Sequence, residues 1–136
     1  MNDELNEIFE GWLEKSYNDR KIVEILLREQ DSPLDGICFH CQQYVEKLLK
    51  ALLTKKGIVF RKTHDIRELA GQIVQFAPSL EPLMEDADIL SIHGVDTRYP
   101  QRVRFITKQQ TDTVVKLAFE FGRALEKAIR DVNDDG

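Results

Sequence analysis

The chain is predicted to be all-α, an antiparallel bundle of about five helices, three long and two short. Three observations predict this. Apolar residues recur at intervals of three and four in five successive segments. No convincing strand pattern, with the period of two that a half-buried strand requires, appears in the 136 residues. The sharpest breaks, Ser32-Pro33, Gly57, Ala77-Pro78 and Gly94, fall between the periodic segments.

The first helix is expected from about Glu4 to Gln30. Leu5, Ile8, Phe9, Trp12, Ser16, Asp19, Val23, Leu26 and Leu27 trace one stripe along it, apolar at both ends and polar in the middle. Asp19 is an acid on a core face, and an unpaired buried carboxylate is costly. Asp19 is therefore expected either to pair with Lys47 or Lys50 or cap a polar pocket, or to meet water where the helix is kinked or rotated. Ser32-Pro33-Leu34-Asp35 has the form of a helix start, with Ser32 as cap, Pro33 in the first turn and Asp35 at the positive end of the dipole. The second helix should run to about Lys56 and end at Gly57. After a connector, Asp65-Ile66-Arg67-Glu68 has capping-box spacing ahead of Ile66, Leu69, Ala70 and Ile73. Leu80, Leu83, Met84, Ala87 and Leu90 mark a fourth helix, stopped near Gly94. Thr107-Lys108-Gln109-Gln110 is a second capping box. It opens the last helix, whose Val114, Phe121, Leu125 and Ala128 form a seam that is either ordinary core of one chain or long enough for dimerisation through the first and last helices. Residues 1–132 should form one domain, with 133–136 a frayed tail.

Composition narrows the class. The 42% hydrophobic and 32% charged fractions fit a globular protein. No apolar run approaches the roughly 20 residues needed to span a bilayer. The acidic start Met1-Asn2-Asp3-Glu4 is unlike a secretory signal, so the expected location is cytoplasmic, away from membranes. The net charge of −5 argues against indiscriminate nucleic-acid binding. Charge is unevenly placed, however. Residues 36–67 hold seven bases and two acids, between flanks of ten acids with four bases (1–35) and six acids with no base (68–97). Arg98, Arg102 and Arg104 follow. The basic block can simply solubilise a surface, or it can serve a phosphate-bearing ligand or an acidic partner.

The second helix sorts these options. Cys38, Cys41, Val45, Leu48, Leu49 and Leu52 form an apolar arc. Cys38 and Cys41 have the spacing of a redox or half-zinc motif, but no second Cys pair exists and both fall on the apolar arc, where Cys acts as a small hydrophobe. No metal or other cofactor is expected. His40, Gln43, Lys47 and Lys50 lie on the opposite side, within roughly 80° of one another at about 100° per residue. An imidazole, an amide and two ammonium groups in register are a candidate anion-binding surface; the alternative is a solvated face of ion pairs with Glu46, with His40 a structural residue hydrogen-bonded to a neighbouring helix. His64 stands at a helix N-terminus, where backbone N–H groups favour anions. Asp65 beside it is better suited to capping than to catalysis. Arg98 and Tyr99 occupy a loop, where binding residues concentrate. Pro100 would fix their turn.

Four motifs, in order, resemble the HEPN domain family: Trp12 and Asp19 on the first helix; Phe39-His40-Cys41-Gln42-Gln43-Tyr44-Val45-Glu46-Lys47-Leu48-Leu49-Lys50-Ala51-Leu52 on the second; Lys62-Thr63-His64-Asp65-Ile66 opening the third; and Arg98-Tyr99-Pro100 before the last. The second is the specific one, and together they span nearly the whole chain. The resemblance implies a helical bundle of about five helices, usually homodimeric, tied to nucleotide or RNA binding. It often acts with a minimal nucleotidyltransferase partner as a toxin–antitoxin pair. Some members are metal-independent ribonucleases whose signature is an arginine followed four to six residues later by a histidine. Here Arg61 and His64 stand too close, and no other arginine precedes a histidine at that spacing. Cleavage by this chain would need a pair from distant segments, such as Arg98 with His40 or His64. The sequence therefore favours a non-catalytic protein binding a nucleotide or RNA phosphate through His40, Gln43, Lys47, Lys50, His64, Asp65, Arg98 and Tyr99. A pure interaction module and a ribonuclease are the rival readings.

Overall fold

The computed structural model describes residues 2–92 and 106–132. Arg98, Tyr99, Pro100 and the tail 133–136 lie outside the described residues. The elements are α1 (Asp3–Arg28), α2 (Leu34–Lys55), α3 (Ile66–Phe76), α4 (Leu83–Ile92) and α5 (Lys108–Val132), with a 3-10 turn at Pro78–Leu80. Among the described residues, all regular structure is helical.

Helix α2 is the centre of the molecule. Leu48, Leu49, Ala51, Leu52 and Leu53 are all fully buried, so the helix is covered on nearly every side rather than along one arc. Each such leucine contributes on the order of 1.5–3 kcal/mol of apolar burial. Cross-helix contacts fix the packing directions. Phe9 meets the Lys55 ammonium at 4.9 Å, Trp12 meets that of Lys50 at 5.0 Å, and Asp19 meets Lys47 and His40. Rising numbers on α1 face falling numbers on α2, so the two helices are antiparallel. Cys38 touches Thr111, Tyr44 reaches Glu126, and Lys55 reaches the Ile129 carbonyl. Helix α5 therefore lies along α2 in the same direction, and α3 and α4 carry the chain back to make this possible.

The helix ends are set by local chemistry, with corrections at Ser32, at the Asp65 box and at Leu80, which lies in the 3-10 turn and not in α4. Ser32 does not cap α2. Pro33 occupies the cap position without a side-chain bond, and the Ser32 hydroxyl instead donates to the Leu26 carbonyl, closing the turn after α1. At the other end the left-handed Gly57 (φ 73°) allows two closing bonds. Its own N–H donates to the Thr54 carbonyl (3.0 Å), and that of Ile58 donates to the Leu53 carbonyl (2.9 Å). Asp65 caps α3 by accepting from the N–H groups of Arg67 and Glu68, but the box is not reciprocal, because the Glu68 carboxylate accepts from Arg61. The Thr107–Gln110 box is complete, with both bonds at 3.0 Å.

Against α5, the Tyr44 ring is fully buried, and its hydroxyl donates to Glu126 (3.0 Å). Arg20 lies over the rings of Phe119 (5.1 Å) and Tyr44 (5.8 Å). Gly122 permits this approach: a Cβ there would stand 2.2 Å from the tyrosine oxygen. Of the α5 seam, Val114, Phe121 and Leu125 are fully buried without a second copy, and Ala128 is half-buried. The argument for dimerisation from excess apolar surface at these three residues therefore falls. No helix among the described residues is long and apolar enough to cross a membrane.

Candidate functional site

The polar side chains of α2 do not face open solvent. They face α1 and the connector 56–65, and together these enclose an open cleft of about 660 Å³. Its floor is a layer of paired charges. Asp19, only 5% exposed, accepts from His40 Nδ1 (2.8 Å) and from the Lys47 ammonium. Glu46, 3% exposed, accepts from His64 Nδ1 (3.0 Å) and from Lys50 Nζ (3.3 Å). Each buried carboxylate thus has one lysine and one histidine, a saturated arrangement that offsets the cost of burying the charge. Ser16, the other polar break in the α1 stripe, is satisfied locally by donating to the Leu13 carbonyl (2.7 Å).

These placements bear on each residue singled out from the sequence. Gln43, Lys47, Lys50 and His64 line the cleft. His40 joins it through Asp19. The expected Asp19–Lys47 pair is present, whereas Lys50 turns to Glu46 and lies 5% exposed, also contacting the Trp12 ring. The Asp65 carboxylate is committed to the α3 cap. Arg98 and Tyr99 fall outside the described residues.

The sequence reading missed other parts of the site. Trp12 and Phe60 form apolar walls, and Lys15, Asn18 and Lys62 stand at the margin. Trp12 and Asp19 are two helical turns apart on one stripe, so their shared outlook was available from spacing. Glu46 was visible as the i, i+4 partner of Lys50. Phe60 and Lys62 carried no such signal, because an irregular connector has no period.

The electrostatics follow from the pairings. Four lysines line the cleft with two carboxylates, Asp19 and Glu46. Lys47 and Lys50 are matched to those acids. Lys15 and Lys62 are exposed and have no acidic partner among the described residues. The mouth of the cleft is therefore cationic above a neutralised floor. Both histidines give their Nδ1–H to a carboxylate, which orients each ring and leaves Nε2 available.

The cysteines take no part in this cleft. Both are fully buried, and burial, with Cys38 beside it, pushes the Cys41 thiol up to about 12. That is the opposite of a reactive thiolate. Among the described residues no group of three His, Cys, Asp or Glu side chains is placed to hold a metal ion.

The HEPN domain profile matches residues 9–129. The chain belongs to the HEPN domain family. A Methanocaldococcus jannaschii protein named "Putative toxin MJ1304" is 28% identical over 97 residues, covering 66% of this chain and 62% of that protein's length. No solved structure matches the chain. Within this HEPN domain, the cleft brings together parts of the three motifs that fall on described residues: the Trp12–Asp19 stripe, the α2 pattern and the His64 turn.

Proposed function

We propose that this HEPN protein binds the phosphate of a nucleotide or RNA in the cleft between α1, α2 and the connector 56–65. One observation carries the reading: Lys15 and Lys62 stand at the mouth without acidic partners, over a floor whose charges are already matched. An incoming phosphate would meet two uncompensated ammonium groups and need not break the buried pairs. The volume of about 660 Å³ is within the roughly 300–1,000 Å³ of small-ligand sites. The test is calorimetric titration with ATP and with a short RNA, using Lys15→Ala and Lys62→Ala. These changes leave the Asp19 and Glu46 pairs intact, so lost binding reports lost ligand contact. Saturable binding weakened at least several-fold in each variant is expected. Binding unchanged in the double variant would sink the proposal.

Homodimer assembly and a minimal nucleotidyltransferase partner of toxin–antitoxin type belong to the same reading. They rest on the HEPN family and on the related protein's name; light scattering and co-purification test them. A second reading has its own observation. The His40–Asp19 and His64–Glu46 pairs are carboxylate–imidazole couples, the arrangement that orients a general base. A ribonuclease reading predicts RNA cleavage in EDTA that is abolished by His40→Ala or His64→Ala. No cleavage at high protein concentration eliminates it.

A further inference from the structure

The cleft has aromatic walls as well as a cationic mouth, and charge alone gives those walls no role. Trp12 is half-buried and lines the cleft with Phe60. Lys50 is one cation against the Trp12 ring: its ammonium stands 5.0 Å from the ring centre and is itself tied to Glu46. The other nearby cation is Lys15, at 5.8 Å. Lys15 is exposed and without an acidic partner among the described residues, so it is free to move from the ring to a phosphate. Movement of Lys15 would uncover an indole face beside two ammonium groups. A flat π-system bearing a phosphate fits that surface. A bare phosphate leaves the aromatic wall wet, and a base locked in a duplex cannot reach it.

We infer that Trp12 is a stacking platform, and that the ligand is a nucleotide with an unpaired base, either free or within single-stranded RNA. The base stacks on Trp12 while Lys15 and Lys62 hold its phosphate. This inference rests on the phosphate-binding reading and makes the base, rather than the charge, the source of selectivity. Stacking on an aromatic side chain accepts any base, so discrimination should be between nucleotide and sugar phosphate more than among the four bases.

Trp12 is the single tryptophan of the chain, so its emission reports directly on the proposed contact. The experiment titrates the full chain with AMP, ribose 5-phosphate, a short single-stranded oligoadenylate and a duplex of equal length. Fluorescence and calorimetry are followed together. AMP and the single strand are expected to quench Trp12 saturably. AMP should bind about tenfold or more tighter than ribose 5-phosphate. Trp12→Leu should erase that preference while Trp12→Phe keeps part of it. Equal affinity for AMP and ribose 5-phosphate, with unchanged emission, overturns the stacking inference and leaves phosphate binding standing. Duplex binding as tight as single-strand binding also overturns it. No binding of any probe overturns both.

Discussion

Replacing Asp19 by Asn tests the polar layer directly. The carboxylate side chain is 7% exposed and accepts from His40 Nδ1 and Lys47 Nζ. An asparagine keeps the shape but has only one acceptor oxygen, and its NH2 group must face a ring N–H or an ammonium. The lysine loses its counter-ion. Breaking a buried pair by removing one partner costs roughly 3–5 kcal/mol. Lys47 is 19% exposed at an open cleft and recovers part of its hydration, so the expected loss is about 2–3 kcal/mol. For a chain of this size that lowers Tm by roughly 5–10 °C. The reverse change, Lys47→Met, should cost more, because the partner left behind is the more deeply buried one. Thermal and urea melts of the two single variants and the double variant complete a cycle. A coupling of at least about 1 kcal/mol is expected. An Asp19→Asn protein within about 0.5 kcal/mol of wild type, or an additive cycle, would refute the reasoning.

Two further outcomes follow from the α2–α5 contact and the core. Gly122→Ala places a Cβ 2.2 Å from the Tyr44 oxygen; the buried ring cannot swing away, so a loss of roughly 1–3 kcal/mol in a urea melt is expected, and wild-type stability would disprove the close approach. Stability should also fall as pH rises above about 9. Burial, with Cys38 beside it, raises Cys41 from 9.0 to about 12, and burial with the neighbouring Glu126 raises Tyr44 above 10.0. Both groups are neutral when protonated, and the folded state keeps those protons where the unfolded chain releases them. The fall is therefore on the order of 1.4 kcal/mol per pH unit per group while only the unfolded form ionises. Urea melts across this range should show a shallower slope in Cys41→Ala, and an identical slope would contradict the assigned cause.

The helices were legible because their signals are local and periodic. The Asp65 cap, the Thr107–Gln110 box and the Gly57 stop each depend on a few adjacent residues. Ser32 misled for the same reason: its sequence context fits a cap, yet the Leu26 carbonyl, six residues back, is the acceptor it uses. The candidate site was half legible. His40, Gln43, Lys47 and Lys50 share a helical face, and spacing alone reveals that. Spacing does not reveal what covers the face. Asp19 and Glu46 hold the bases that looked available to a ligand, while the unmatched ones, Lys15 and Lys62, sit on α1 and on a connector whose course is set by tertiary packing.

The Asp19 pairing also acts on the alignment of the helices. Apolar side chains such as the buried Phe9 and Val23 of α1 tolerate sliding better than paired charges do. A slip of one turn, about 5.4 Å along the axis, would draw the Asp19 carboxylate away from both of its donors. It would also strand the Lys47 ammonium and part Trp12 from Lys50. Only one registration of α1 on α2 satisfies all of them at once. The contacts that form the floor of the cleft thus also act as its ruler. A sequence change that loosened them would blur the distances between Trp12, Lys15 and Lys62 before it melted either helix.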